Sequence, residues 1–129
     1  MSTNLEIVSS TYEGSSEENG EKLLAVLAEN ASWTEAAGFA YAGTYVGAKE
    51  ITENVFKRLA TEWDNYQAKV HTYLADGDKV AAFGIYSGTY KATNKYFEAS
   101  FAHLWQLKDG KIIKMEQYVD SAIVQDALK

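Results

Sequence analysis

From Tyr66 to Val119 the chain alternates long runs of β-branched and aromatic residues with short turn signals, a pattern that commits this half to an antiparallel meander. The expected strands are Tyr66–Ala75, Lys79–Tyr90, Tyr96–Lys108 and Lys111–Val119. Between them lie Asp76-Gly77-Asp78, Thr93-Asn94 and Asp109-Gly110, residues that accept the left-handed backbone of tight hairpins. The aspartates there read as turn formers.

The first half carries a different period. Ser2, Thr3 and Asn4 offer an N-cap for a helix with Leu5, Val8 and Tyr12 on one side, ended by Gly14-Ser15-Ser16. A second helix, capped by Ser15 or Ser16, presents Leu23, Leu24 and Leu27. A short strand is expected over Ala31–Ala36, then a stretch punctuated by Gly38, Gly43 and Gly47. The spacing of Ile51, Val55, Phe56, Leu59 and Trp63 predicts a third helix over Lys49–Glu62. A last helix is expected over Ser121–Leu128. Helices followed by a meander give an α+β architecture, with helices covering one face of a curved antiparallel sheet. No linker, repeat or shift in composition divides the chain, so residues 1–129 are read as a single domain.

Composition narrows the function classes. Net charge is −6 and Arg58 is the one arginine, so no basic stripe is available for nucleic acid or for an anionic membrane surface. Without cysteine there is no disulfide framework, thiol nucleophile or Cys-built zinc site. His71 and His103 lie far apart without a Glu-x-x-His spacing, so no metal site is expected. The opening Met1-Ser2-Thr3-Asn4 lacks the basic stretch and apolar run of a leader, and no segment is long and apolar enough to span a bilayer. A soluble cytoplasmic protein is the expectation. The nine Tyr, five Phe and three Trp suit both a packed core and an aromatic ligand pocket.

Turn positions predict which side chains meet. A two-residue Asp109-Gly110 turn sets Lys108 against Lys111, His103 against Glu116, Phe101 against Tyr118 and Ala99 against Asp120, all on one face. A two-residue Thr93-Asn94 turn sets Gly84 beside His103 and Tyr86 beside Phe101. The missing side chain of Gly84 then leaves a hollow at the imidazole, walled by Tyr86, Tyr118 and Trp105. A one-residue slip turns the whole set to the other face. Each polar residue also has a plain structural role open to it: His103 as a satisfied core imidazole, Asp120 as a helix cap, Glu35 as a solvated strand end, Glu116 as an ion-pair partner or surface group.

Several segments carry a family resemblance: Gly43-Thr44-Tyr45-Val46-Gly47, Ala75-Asp76-Gly77-Asp78-Lys79-Val80, Phe101-Ala102-His103-Leu104-Trp105, and Lys108-Asp109-Gly110-Lys111-Ile112 with Gln117-Tyr118-Val119-Asp120. Over nearly its whole length the chain resembles the SnoaL-like branch of the nuclear-transport-factor-2 superfamily, which also contains the ketosteroid isomerases. The resemblance implies a cone-like fold around a pocket, a small apolar organic ligand, no cofactor, and a homodimer formed through the outer sheet face. It implies catalytic roles too. Glu35 matches the isomerase base on the first strand, with Glu in place of Asp. Tyr12 matches the oxyanion tyrosine, and His103 stands where the isomerases have a protonated carboxylic acid. Asp120 matches the acid/base aspartate of the polyketide cyclases. The expected catalytic set is thus Asp120, His103, Glu35 and Tyr12, and the expected ligand wall is Tyr118, Trp105, Tyr86, Phe101 and Trp33. Isomerisation or aldol-type cyclisation is the expected chemistry, with a non-catalytic binding or dimerisation module as the rival reading.

Overall fold

A computed structural model of the chain describes residues 3–129; Ser2, one of the expected caps, lies outside the described residues. Thr3 caps α1 (Asn4–Ser10) and Ser15 caps α2 (Ser16–Val26), each through a reciprocal bond with the Glu three residues on. Strand β1 (Leu27–Glu35) takes over directly from α2, which draws Leu27 out of the expected helical stripe, and Leu24 is 38% exposed. The glycine-punctuated stretch holds a strand not anticipated from sequence, β2 (Gly43–Val46). The third helix runs through α3 (Gly47–Ile51), a π-helical turn (Thr52–Phe56) and α4 (Lys57–Glu62). Strands β3 (Trp63–Asp76), β4 (Lys79–Tyr90), β5 (Lys95–Lys108) and β6 (Lys111–Val119) form the meander, and α5 (Ser121–Leu128) closes the chain.

The sheet has six strands in the order β2-β1-β6-β5-β4-β3. It curves and stays unclosed. Its pairings are antiparallel except that β1 runs parallel to β6, so the sheet is mixed, where the meander alone predicts antiparallel pairing throughout. The helices lie on its concave face.

Two departures from ideal hairpins set the register. Asp109 and Gly110 both have positive φ (52° and 77°), and Lys108 does pair with Lys111. Beyond the turn β6 bulges: Leu107 faces Ile112 but Gln106 faces Lys114, leaving Ile113 as the extra residue. His103 therefore pairs with Gln117 and not with Glu116, and every later β6 side chain changes face. The Thr93-Asn94 turn is longer than expected, with Tyr90 paired to Lys95. That moves the β4–β5 register by two residues and preserves the faces: Tyr86 meets Ala99, and Gly84 meets Phe101.

Gly84 consequently lines no hollow. A Cβ there would lie 2.1 Å from the Lys69 carbonyl oxygen and 2.9 Å from the Phe101 ring. The missing side chain admits the backbone of β3, which is itself bulged between Val70 and Thr72. Gly84→Ala is expected to lower the free energy of unfolding by about 3 kcal/mol in urea titration, because rigid backbone cannot yield to the added methyl.

Two apolar clusters flank the middle of the concave face. One gathers Phe39, Tyr41, Trp63, Tyr66, Phe97, Val124 and Ala127 towards α5; the other gathers Val8, Ile51, Val55, Val80, Leu107, Ile112 and Met115 under α1 and the third helix. His103 lies between them, with its ring 4.4 Å from that of Phe101 and 5.7 Å from that of Trp105.

Candidate functional site

Between the helices and the concave face lies an open-mouthed cavity of about 1380 Å³. Alternation along the strands delivers Trp33 and Glu35 from β1, Tyr66 from β3, Tyr86 from β4, His103 and Trp105 from β5, and Gln117 from β6. The third helix adds Val55, Phe56 and Leu59, and Tyr12 reaches in from the turn after α1. Phe56 meets Trp33 edge-on, ring centroids 5.2 Å apart.

Glu35 is the last residue of β1 and is 4% exposed. Its Oε2 accepts a hydrogen bond from Trp33 Nε1 at 3.3 Å. Burial pushes its pKa up to about 8, against the smaller opposing pull of that bond. His103 is held at both nitrogens: Nδ1 bonds the Tyr12 hydroxyl at 2.5 Å, and Nε2 bonds the Tyr86 hydroxyl. Burial lowers its pKa to about 3, so the ring is neutral. Outside this pair, Trp105 Nε1 donates to the Tyr12 oxygen (2.9 Å) and Gln117 Nε2 to the Tyr86 oxygen (2.8 Å). The Gln117 amide is oriented by the Ala36 N–H, which donates to its Oε1 at 3.0 Å. Burial also raises the pKa values of Tyr12, Tyr66 and Tyr86, so all three keep their protons.

The structure thus brings together Glu35, His103, Tyr12, Tyr86, Trp105 and Trp33 from the expected set, and separates three others. Asp120 is exposed and caps α5, its Oδ1 accepting from Ile123 N at 3.4 Å; it lies outside the cavity wall. Tyr118 points to the outer sheet face because of the β6 bulge, 55% exposed and donating to Glu116 Oε2 at 2.7 Å. Glu116 on that face pairs with Lys114 Nζ at 2.9 Å. Phe101 shares the face of His103 but is buried outside the cavity lining, stacked on Tyr86 with ring centroids 4.1 Å apart. Arg58 pairs with Glu62 (2.9 Å) and covers the Tyr41 ring (4.2 Å).

Sequence reasoning missed Gln117 and Tyr66. Gln117 enters only through the bulge. Tyr66 shares a strand face with cavity residues Ala68 and Val70, an alternation the sequence does display. Among the described residues no group of three or more His, Asp or Glu side chains is placed to hold a metal ion, and no helix is long and apolar enough to cross a membrane.

Proton linkage at this site has a calculable sign. Glu35 ionises near 4.5 unfolded and near 8 folded, so between those values stability falls as pH rises. His103 ionises near 6.5 unfolded and near 3 folded, so its contribution is complete above 6.5 and is lost as pH falls towards 3. Between 4.5 and 6.5 the two one-proton slopes cancel. Their joint contribution to unfolding free energy is expected to be flat there and to decline by up to about 1.4 kcal/mol per pH unit from 6.5 to 8. Denaturant unfolding across pH should show that decline removed by Glu35→Gln.

A model of the SnoaL-like domain matches residues 8–115. No curated protein matches the chain. Among solved structures, a nuclear-transport-factor-2-like protein from Burkholderia thailandensis E264 is 43% identical, superposes with a TM-score of 0.94, and is covered over 99% of its length by 100% of this chain. TerC, co-crystallised with polyporic acid, is 22% identical with a TM-score of 0.84 (98% of each chain). A candidate polyketide cyclase from Xanthomonas campestris pv. campestris is 16% identical with a TM-score of 0.83 (98% of this chain, 96% of that one). At such identities the last two establish the shared fold alone.

Proposed function

The chain belongs to the SnoaL-like family, and on that footing we propose that it is a cofactor-free enzyme of proton transfer next to a carbonyl, an isomerase or aldol-type cyclase of a small apolar organic molecule. One observation carries the reading: a carboxyl group with its pKa near neutrality is buried on the same aromatic wall as a hydroxyl–imidazole–hydroxyl array. Ionised Glu35 takes a proton from the carbon beside the carbonyl, and the C–H electron pair moves onto oxygen. A tyrosine hydroxyl donates a hydrogen bond to the enolate oxygen so formed. Glu35 then returns the proton to another carbon, which is an isomerisation. Alternatively the enolate carbon attacks a second carbonyl and the proton goes to the new alkoxide, which is an aldol closure. Neither route consumes a co-reactant. The ligands and names of the fold relatives support a small organic substrate and cyclase-type chemistry here.

The test is proton NMR of a panel of ketones and β-dicarbonyl compounds in deuterated water. Loss of α-proton signal is expected to accelerate about tenfold per pH unit up to about 8 and then level off, because the base must be ionised. Glu35→Gln should slow it by about 10²–10⁴-fold. Asp120→Asn should leave the rate unchanged, since Asp120 caps α5 outside the cavity. Saturable ligand binding with no exchange by the folded protein would replace this reading with that of a binding module.

A homodimer is the assembly proposed. On the outer face Phe83, Ile85, Ala102, Leu104 and Tyr118 are neighbours by register and form an apolar centre, edged by Glu98, Lys114 and Glu116. Analytical ultracentrifugation should show a dimer that Leu104→Glu converts to monomer; a monomeric parent protein would overturn it.

A further inference from the structure

We propose that neutral His103 is a two-position proton switch that frees the hydroxyl proton of either Tyr12 or Tyr86 for a ligand oxygen, never both at once. The argument is a count of hydrogens. The array runs Trp105–Tyr12–His103–Tyr86–Gln117, and its two ends, an indole N–H and an amide N–H, donate inward. The amide cannot be reversed, because Ala36 N–H holds its oxygen. Three hydrogens remain for the two oxygen–nitrogen links: one on Tyr12, one on Tyr86 and one on the ring. One hydroxyl proton is therefore always left over from these two links; on the Tyr86 side its protein neighbour is the Tyr66 hydroxyl.

The tautomer decides which. With the ring proton on Nε2, Tyr12 donates to Nδ1, the Tyr86 oxygen accepts from both Nε2 and Gln117, and the Tyr86 proton is free. With the ring proton on Nδ1, the Tyr12 oxygen accepts from both Nδ1 and Trp105, Tyr86 donates to Nε2, and the Tyr12 proton is free. Both states satisfy every other atom in the array, and among the described residues no buried side-chain nitrogen or oxygen lacks a partner.

The two donor positions are not equivalent. Tyr86 is tied through Gln117 to the backbone at Ala36, next to Glu35, and Tyr66 flanks it with ring centroids 5.4 Å apart. Tyr12 lies on the other side of the imidazole, edge-on to Tyr73 at 6.1 Å. Resting on the proposed proton-transfer reading, Tyr86 is the donor to an enolate oxygen whose carbon faces Glu35, and His103 acts through it as a positioning residue. Carbonyl binding there draws the ring proton to Nε2.

Nitrogen-15 NMR of histidine-labelled protein tests the switch without turnover, with exposed His71 as an internal reference. The parent protein should show His103 neutral at pH 7, with both nitrogens reporting exchange between tautomers. In Tyr86→Phe Nε2 loses its acceptor, so the proton should settle on Nδ1, where the Tyr12 oxygen still accepts it. In Tyr12→Phe Nδ1 loses its acceptor, so the proton should settle on Nε2, where the Tyr86 oxygen still accepts it. One fixed tautomer in the parent protein, the same tautomer in both variants, or an imidazolium at pH 7 would overturn the proposal. If either variant fails to fold, the parent spectrum decides alone, because a single tautomer there excludes the switch. In the α-proton exchange assay Tyr86→Phe should lower kcat by about 10²-fold with KM little changed, and Tyr12→Phe by about tenfold or less. Equal losses would remove the assignment of Tyr86. Absence of exchange in the parent protein fails the enzymatic reading and leaves the NMR result to judge the switch.

Discussion

The hydrogen bonds on either side of His103 tie side chains of three adjacent strands to the turn after α1. Through Nδ1 the imidazole holds Tyr12, and with it the turn after α1; through Nε2 it holds Tyr86 on β4 and, behind that, Gln117 on β6. An imidazole buried between two apolar clusters is tolerable only if both nitrogens are bonded, since each unpaired buried polar group costs on the order of 1–3 kcal/mol. Both nitrogens are bonded here. The cavity therefore has a polar floor whose atoms are fixed from three strands and one helix end.

That arrangement carries a cost set by the medium. The burial that keeps His103 neutral also keeps Glu35 protonated at neutral pH, and each shift departs from the group's ordinary value because its charged form is poorly solvated. The clusters on either side, rich in Trp, Phe and Tyr, supply the apolar burial that offsets a site of this kind. A chain selected for stability alone would place leucine or valine at these positions. Retaining an acid and an imidazole in such surroundings fits chemistry better than packing.

Much of the fold is legible in the sequence because it rests on local signals. The β4 and β6 bounds follow from Asp-Gly turns and alternation, and the caps of α1 and α2 from Thr3 and Ser15 three residues before Glu6 and Glu18. What stayed hidden depends on contacts distant in sequence. The parallel pairing of β1 with β6 leaves no mark on either strand, and β2 is too short and too rich in glycine context to declare itself. On the wall, His103, Trp105 and Tyr86 follow from strand parity, whereas Glu35 and Tyr12 follow from the family resemblance. Tyr118 leaves the wall because a bulge that no residue near Ile113 announces reverses parity beyond it, and Asp120 takes the helix-cap role also open to it.

That bulge does more than turn side chains over, because it selects the chemistry of the floor. Without it Glu116 would sit opposite His103 on the concave face, as an unbroken hairpin requires. A carboxylate within hydrogen-bonding reach favours the charged imidazolium and would work against the depression that burial imposes on the ring. With both nitrogens protonated, the ring could only donate, and each tyrosine would be left with its own proton free. The extra residue at Ile113 sends Glu116 outward to Lys114 and brings in Gln117, an amide that bonds Tyr86 without adding charge. The imidazole then has no ionic reason to keep a second proton. A single inserted residue in one strand thus separates a floor built on an ion pair from one built on a neutral, reversible relay.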